Sequence, residues 1–432
     1  MKNSSKGIIK KSSNLLFGQL SISLFSFLTI MITSRALEPE GRGYLALTLL
    51  IANCLYVFTE FGLGKSVVRI LSSRKLNREI VISNYLYFIL IKILFFAIIS
   101  FYVFFNTKFS TFIELPLNLV WISVLQFIPI AITGSLLFVL LGLNLYNSYT
   151  KVLIFSSLTS FAILTLLYFF SVLTLFKVLL VMFLINVLNV FIIIKMLLTK
   201  INFLYKFNFF YIKFLFSDAI KFYLINIVSF SQNRFGFFII NIFLGPYSLG
   251  IYTLSYTLCE RISIIPDSIS TILFPEISKN PKIKNSQTTS IIFRFTMILI
   301  IIISIIIFFL SEWLVILLFG ESFKDSILIL KYLLGATIFT SGWKIISQYF
   351  NAVGFSSLSL RIESIGLLIF IIMSFILIPE YKLEGACFAV ILSSLTNLFL
   401  GLIKYNKINS RKNSLYKFSI KEKSFIKKKL NL

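Results

Sequence analysis

The sequence predicts an all-α polytopic membrane protein with about twelve transmembrane helices, built as two halves of one design. Three observations predict it. Apolar residues make up 58% of the 432-residue chain, charged residues only 13%, and the mean hydropathy is +0.95. A soluble domain is about 45–50% apolar and about 25% charged, so the solvent for this chain is lipid. The apolar residues also fall into runs of the ~20 residues that an α-helix needs to cross the hydrocarbon core. Finally, LEPEGRGY at 37–44 returns as LGPYSLGIY at 244–252: Pro39 and Pro246 stand 207 residues apart, as do Gly43 and Gly250. A shared offset near half the chain length marks internal duplication.

Taken in order, the predicted spans cover about 14–34, 43–63, 81–105, 117–141, 150–172, 174–194, 218–244, 247–271, 288–310, 325–350, 359–378 and 384–403. None alternates apolar with polar as the strands of a membrane barrel do, so each reads as a helix. The first run is longer than the 7–15-residue core of a secretory signal and reads as an uncleaved span. The short polar breaks at 37–44 and 244–252 separate the first two spans of each half. The 207-residue offset carries Glu60 of FTEFGLG onto Asp267 of IPDSIST, although the second half has no FGLG after Asp267.

Charge orients the chain. Lys2, Lys6, Lys10 and Lys11 precede the first span, which places the N-terminus in the cytoplasm, and twelve spans return the C-terminus to the same side. The segments predicted to be cytoplasmic hold 28 Lys/Arg, including Arg74, Lys75, Lys206, Lys282 and ten in the tail; the opposite side holds Arg35, Arg42, Lys108, Lys177, Lys324 and Lys382. The net charge of +25 therefore needs no nucleic-acid partner. Its tail reads as attraction to anionic membrane lipid, with a docking arm for a cytoplasmic partner as the alternative. Asp218 is expected to cap the start of the seventh span.

Several chemistries are disfavoured. Histidine is absent, which removes Ser-His and Cys-His pairs and HExxH zinc sites. Cys54, Cys259 and Cys387 stand alone inside predicted spans as small apolar residues. No Walker motif, DxD motif or phosphate-cradling glycine loop is present, and no cofactor or metal is implied. The loops on the outer side are short. Charged residues inside spans are then the best site markers, because burying an ion in hydrocarbon is costly and such groups face cavities. They are Glu60, Lys92, Asp218, Arg234, Glu260, Arg261, Asp267, Arg294, Lys331 and Lys344. Lys92 and Arg294 read as structural, and Lys331 as snorkelling to an outer end. Arg234 and Glu260 lie at overlapping depths on adjacent spans and are a plausible ion pair.

LEPEGRGY, then FTEFGLGKSVVR one span later, then FLGPYSLGIYTLSYTL and LFPEIS in the second half, resemble the O-antigen flippases (Wzx type) and polysaccharide exporters of the multidrug/oligosaccharidyl-lipid/polysaccharide (MOP) superfamily. The resemblance implies two six-helix lobes, 1–200 and 218–405, facing each other across a central cleft. A cytoplasmic linker, 201–217, joins them, and a basic tail, 406–432, follows. It implies a multi-pass protein of the bacterial inner membrane that is not an enzyme. By alternating access it would flip an undecaprenyl-pyrophosphate-linked oligosaccharide, an O-antigen or capsule repeat unit, and would need no cofactor. Within such a cleft Arg261, Arg234 and Lys344 are the candidate substrate-binding cations; arginine's planar fork suits a pyrophosphate. Glu60, Asp267 and Glu260 are the candidates for ion or proton coupling, or for a gate. The partners implied are the lipid-linked glycan, membrane lipids and other polysaccharide assembly proteins. Two alternatives stay open. A drug or cation antiporter of the same superfamily would rely on acidic groups, and a membrane glycan polymerase would need larger outer loops.

Overall fold

A computed structural model describes residues 2–73, 77–105, 115–200, 208–279 and 284–409. The predicted basic positions at Arg74, Lys75, Lys108, Lys206 and Lys282, and the tail beyond 409, lie outside the described residues. The described residues are helical and contain no strand. In order the helices are α1 (Lys2–Glu60), α2 (Leu63–Ser73), α3 (Arg78–Phe105), α4 (Leu117–Gly142), α5 (Tyr146–Phe169), α6 (Leu175–Leu198), α7 (Phe209–Lys279), α8 (Lys284–Phe319), α9 (Ser326–Val353) and α10 (Ser356–Ile408). A 3-10 turn, Glu321–Phe323, joins α8 to α9.

Three of these helices are two spans in one. Only one residue in each departs from helical geometry: Glu38 (φ 55°, ψ −179°) in α1, Gly245 (φ 77°, ψ 177°) in α7 and Lys382 (φ 50°, ψ −129°) in α10. Glu38 and Gly245 each precede a proline, whose ring drives the residue before it out of the helical region. Gly245 accepts positive φ freely; Glu38 does so at a cost of about 1–3 kcal/mol. Divided at these breaks, and counted with α3, the span-length apolar helices account for the twelve predicted runs. The offset of 207 persists beyond the turns. It carries the first residue of α3 to within a residue of the start of α8, and Leu175 of α6 onto the break at Lys382.

One prediction is corrected. α7 begins at Phe209, so Asp218 stands at an interior position of the helix and not at its start. The apolar sequence FFYIKFLF simply lets the helix run on upstream.

The chain divides into two compact units, 1–254 with 314–326, and 255–313 with 327–432. In the first, α1 packs against α4 and α5, and α4 against α2 and α6. Its core joins Leu63, Val67, Ile82, Tyr85, Leu136, Val139, Leu140 and Ile193. Polar side chains stitch helices together there: Gln126 donates to the Leu179 carbonyl at 2.6 Å, Thr133 to that of Asn186 at 3.1 Å, and Asn189 to the Ser156 hydroxyl at 3.1 Å. In lipid, where apolar burial gives little drive, such bonds and close packing hold helices together. The second unit has its own core around Trp343, Ile346, Phe350, Ile362, Leu398 and Tyr405. There Ser393 donates to the Gly366 carbonyl at 2.8 Å.

Candidate substrate and coupling sites

The two repeated turns meet. Gly43 lies directly against the Pro246 carbonyl, and Gly250 lies directly against the Pro39 carbonyl. A Cβ at either glycine would fall inside the other turn's backbone. The contact is reciprocal, as a two-fold relation between repeats requires: residue i of one copy touches residue j of the other, and j touches i. One helical turn further on, Leu47 and Leu254 are both fully buried, and they too are 207 residues apart. Around this junction Arg35 donates to the carbonyls of Leu317 and Leu318, the last turn of α8, where a cation complements orphan carbonyls. Tyr247 donates to the Asp325 carboxylate at 3.4 Å, and Ser326 to the Ile251 carbonyl at 3.4 Å.

Glu60 occupies the other end of that α1 arm and is 4% exposed. Phe61 (φ 50°) and Gly62 (φ 71°) break the helix there, and α2 restarts at Leu63. The Glu60 carboxylate accepts the backbone N–H groups of Gly62 and Gly64, so it caps α2. This gives FGLG a physical meaning. Gly62 has the left-handed backbone of the turn and abuts Ala219 and Tyr223 of α7; Gly64 abuts the Phe138 ring. The segment then fastens to α7: Ser66 donates to the Leu215 carbonyl at 2.7 Å, Lys65 to Asn226 at 2.6 Å, and Tyr223 to the Phe58 carbonyl at 3.1 Å. Lys92 of α3, 3% exposed, places its ammonium 4.5 Å from the centre of the Tyr56 ring and within electrostatic range of Glu60. Glu60, Lys92 and Tyr56 thus form one buried charged cluster, to which Lys65 and Tyr85 also contribute electrostatically.

The second unit brings Asp267 and Lys344 together. The lysine Nζ lies 2.8 Å from one carboxylate oxygen and 2.9 Å from the other. Asp267 directly follows Pro266, whose missing N–H leaves the Ile262 carbonyl without its helical donor. Next to Lys344, the Trp343 indole N–H donates to Glu363 at 3.3 Å. Glu260 lies two turns before Asp267 on the same helical face, and Arg261 is half-buried beside it. Arg234 belongs to the first unit, its guanidinium 5.3 Å from the centre of the Phe237 ring.

A substrate-site cation and a coupling-site carboxylate on the predicted roster are therefore partners of each other. Spacing along the chain gave no sign of this, because they sit on different helices 77 positions apart. Lys92, assigned only a structural role, belongs to the Glu60 cluster. Its place about four turns from the start of α3, far from either end of the helix, was the available signal. Lys331 lies 5.1 Å from the centre of the Phe308 ring, a cation–π contact that holds it against α8.

Long helices broken at proline turns, with ionisable groups held inside them, make a fold shared with solved flippase and transporter structures. The chain matches lipid II flippase MurJ in an inward closed conformation with a TM-score of 0.75 over 96% of this chain and 90% of that one, at 15% identity. It matches an inward-facing multidrug resistance MATE family transporter with a TM-score of 0.69 over 90% and 94%, at 12% identity. Residues 8–281 match the polysaccharide biosynthesis protein family, and the chain belongs to that family. Among curated relatives, the capsular polysaccharide biosynthesis protein CapF of Staphylococcus aureus is 32% identical over 167 residues. That match covers 37% of this chain and 41% of the relative, so the chain spans about two fifths of CapF.

Proposed function

We propose that this protein flips an undecaprenyl-pyrophosphate-linked oligosaccharide, an O-antigen or capsule repeat unit, across the bacterial inner membrane by alternating access. It acts as a carrier and catalyses no covalent step. Both termini face the cytoplasm, and the moving bodies are lobes 1–200 and 218–405, joined by 201–217, with 406–432 as a basic tail on anionic lipid. Arg261, Arg234 and Lys344 bind the cargo's diphosphate, and Glu60, Asp267 and Glu260 serve coupling or gating.

The observation that carries this reading is the half-exposed Asp267–Lys344 pair on two helices otherwise apolar enough to cross a membrane. Charges so exposed are not compatible with lipid and call for a water-filled cavity, which a polar cargo needs and a packed membrane anchor does not. Membership of the polysaccharide biosynthesis family supports a glycan as that cargo. Fold likeness to MurJ supports a lipid-linked one.

The test is surface glycan, normalised to membrane-inserted protein, in a deletion strain. Arg261→Ala is expected to lower export about ten-fold, the order of one charge-assisted hydrogen bond, and to leave lipid-linked glycan on the cytoplasmic side. Arg261→Lys keeps the charge and loses the fork, so its defect is milder. Full export by the Arg261→Ala, Lys344→Ala double variant overturns the cationic site.

A further inference from the structure

We infer that Asp267 is an internal stand-in for the cargo's phosphate: carboxylate and phosphate exchange on one ammonium, that of Lys344. The inference rests on the flippase reading and deepens it.

Lys344 Nζ is held by both oxygens of Asp267, at 2.8 and 2.9 Å, in the way a phosphate would hold it. The pair is accessible, with the Asp267 side chain 56% and the Lys344 side chain 31% exposed. An accessible ion pair is weak, because water screens it and two flexible side chains are ordered to make it. A phosphate carrying more charge and more acceptor oxygens competes well for the same cation. The burial is also uneven. The acid is the more exposed partner, so its side of the pair is the one a competing anion in water reaches first.

Position agrees. Asp267 lies twelve residues before the end of α7 at Lys279 and Lys344 nine before the end of α9 at Val353, about 18 and about 14 Å of helix rise. Both helix ends are those predicted to face the cytoplasm, the side from which a lipid-linked glycan made from nucleotide sugars is presented. The pair thus lies where a diphosphate would first leave the headgroup layer.

Exchange solves a problem that a bare cationic site has. An empty carrier with an unpaired lysine at this depth would be destabilised, and a bound diphosphate with no competitor would be slow to leave. With Asp267 in place the cation is compensated in the empty carrier, and the returning carboxylate assists release. The anion moves; no bond to carbon or phosphorus forms or breaks.

The experiment is calorimetric titration of the purified full chain in phosphatidylcholine nanodiscs with inorganic pyrophosphate. Asp267→Asn, which keeps the shape and removes the competitor, is expected to bind at least ten-fold more tightly than wild type. Lys344→Gln is expected to lose measurable binding, and the double variant to behave as Lys344→Gln does. Affinity in Asp267→Asn equal to wild type overturns the exchange. Repeating the titration with phosphatidylglycerol in the disc separates the sources of phosphate: loss of the Asp267→Asn gain there assigns the site to bulk anionic lipid and overturns the cargo assignment. Asp267→Asn is also scored for export in the deletion strain, where slow release is expected to lower it. A tight-binding Asp267→Asn in a strain whose surface glycan never depended on this protein would leave the exchange standing and remove the flippase reading. Unchanged affinity alongside glycan that needs the protein would do the reverse.

Discussion

Glu60 shows how a single side chain joins fold and function. Its carboxylate closes the N-terminus of α2 through the Gly62 and Gly64 amides, and its charge offsets the buried Lys92 stacked on Tyr56. Glu60→Gln keeps an acceptor for those amides and removes only the charge. The expected result is a fall in membrane-inserted protein, because an uncompensated lysine within a span costs about 2.5–3.5 kcal/mol. Adding Lys92→Met removes the stranded cation and is expected to restore the protein level. Transport per molecule then decides the role. Recovery in the double variant makes the cluster structural, and a persistent defect makes Glu60 a coupling group.

At the scale of elements, the breaks matter more than the helices. Two X-Pro steps turn long helices back on themselves, and the glycines four residues beyond each proline let the two turns touch backbone to backbone. A methyl group at Gly43 or Gly250 must push the turns apart, since each faces a fixed carbonyl and not a movable side chain. If these turns close the outer face, Gly250→Ala opens it. In a background with Cys54, Cys259 and Cys387 replaced, Leu47→Cys is fully buried and should resist a membrane-impermeant maleimide added from outside. Adding Gly250→Ala is expected to raise labelling at least several-fold. Unchanged labelling would leave the reciprocal contact a packing feature.

For the whole molecule the decisive property is orientation, which follows from lysine and arginine in loops and not from any contact. Reporter fusions after Leu173 and Glu380 are expected to read as external. A fusion after Lys206, which lies outside the described residues, is expected to read as cytoplasmic. An external signal at Lys206 would break the division into lobes 1–200 and 218–405, because that linker must stay on the side where both halves begin.

What the sequence determined alone is everything that depends on local chemistry and its repetition. Span length, the helical state of the described residues, the X-Pro breaks and the 207-residue offset are all legible because hydrophobic thickness, proline sterics and duplication act along the chain. Only the tertiary structure decided which charge meets which. Glu60 and Lys92 stand 32 positions apart, and Asp267 and Lys344 stand 77 apart. Neither spacing carries a signal, because contacts between helices depend on how each is rotated and which neighbour it faces. The same holds for the glycines at 43 and 250. Sequence marked both as turn residues, but only the fold shows that each leaves room for the other turn's carbonyl. In lipid every span is apolar around most of its surface, so the side facing protein is set by a few polar and small residues, and these acquire their meaning only in the presence of their partners.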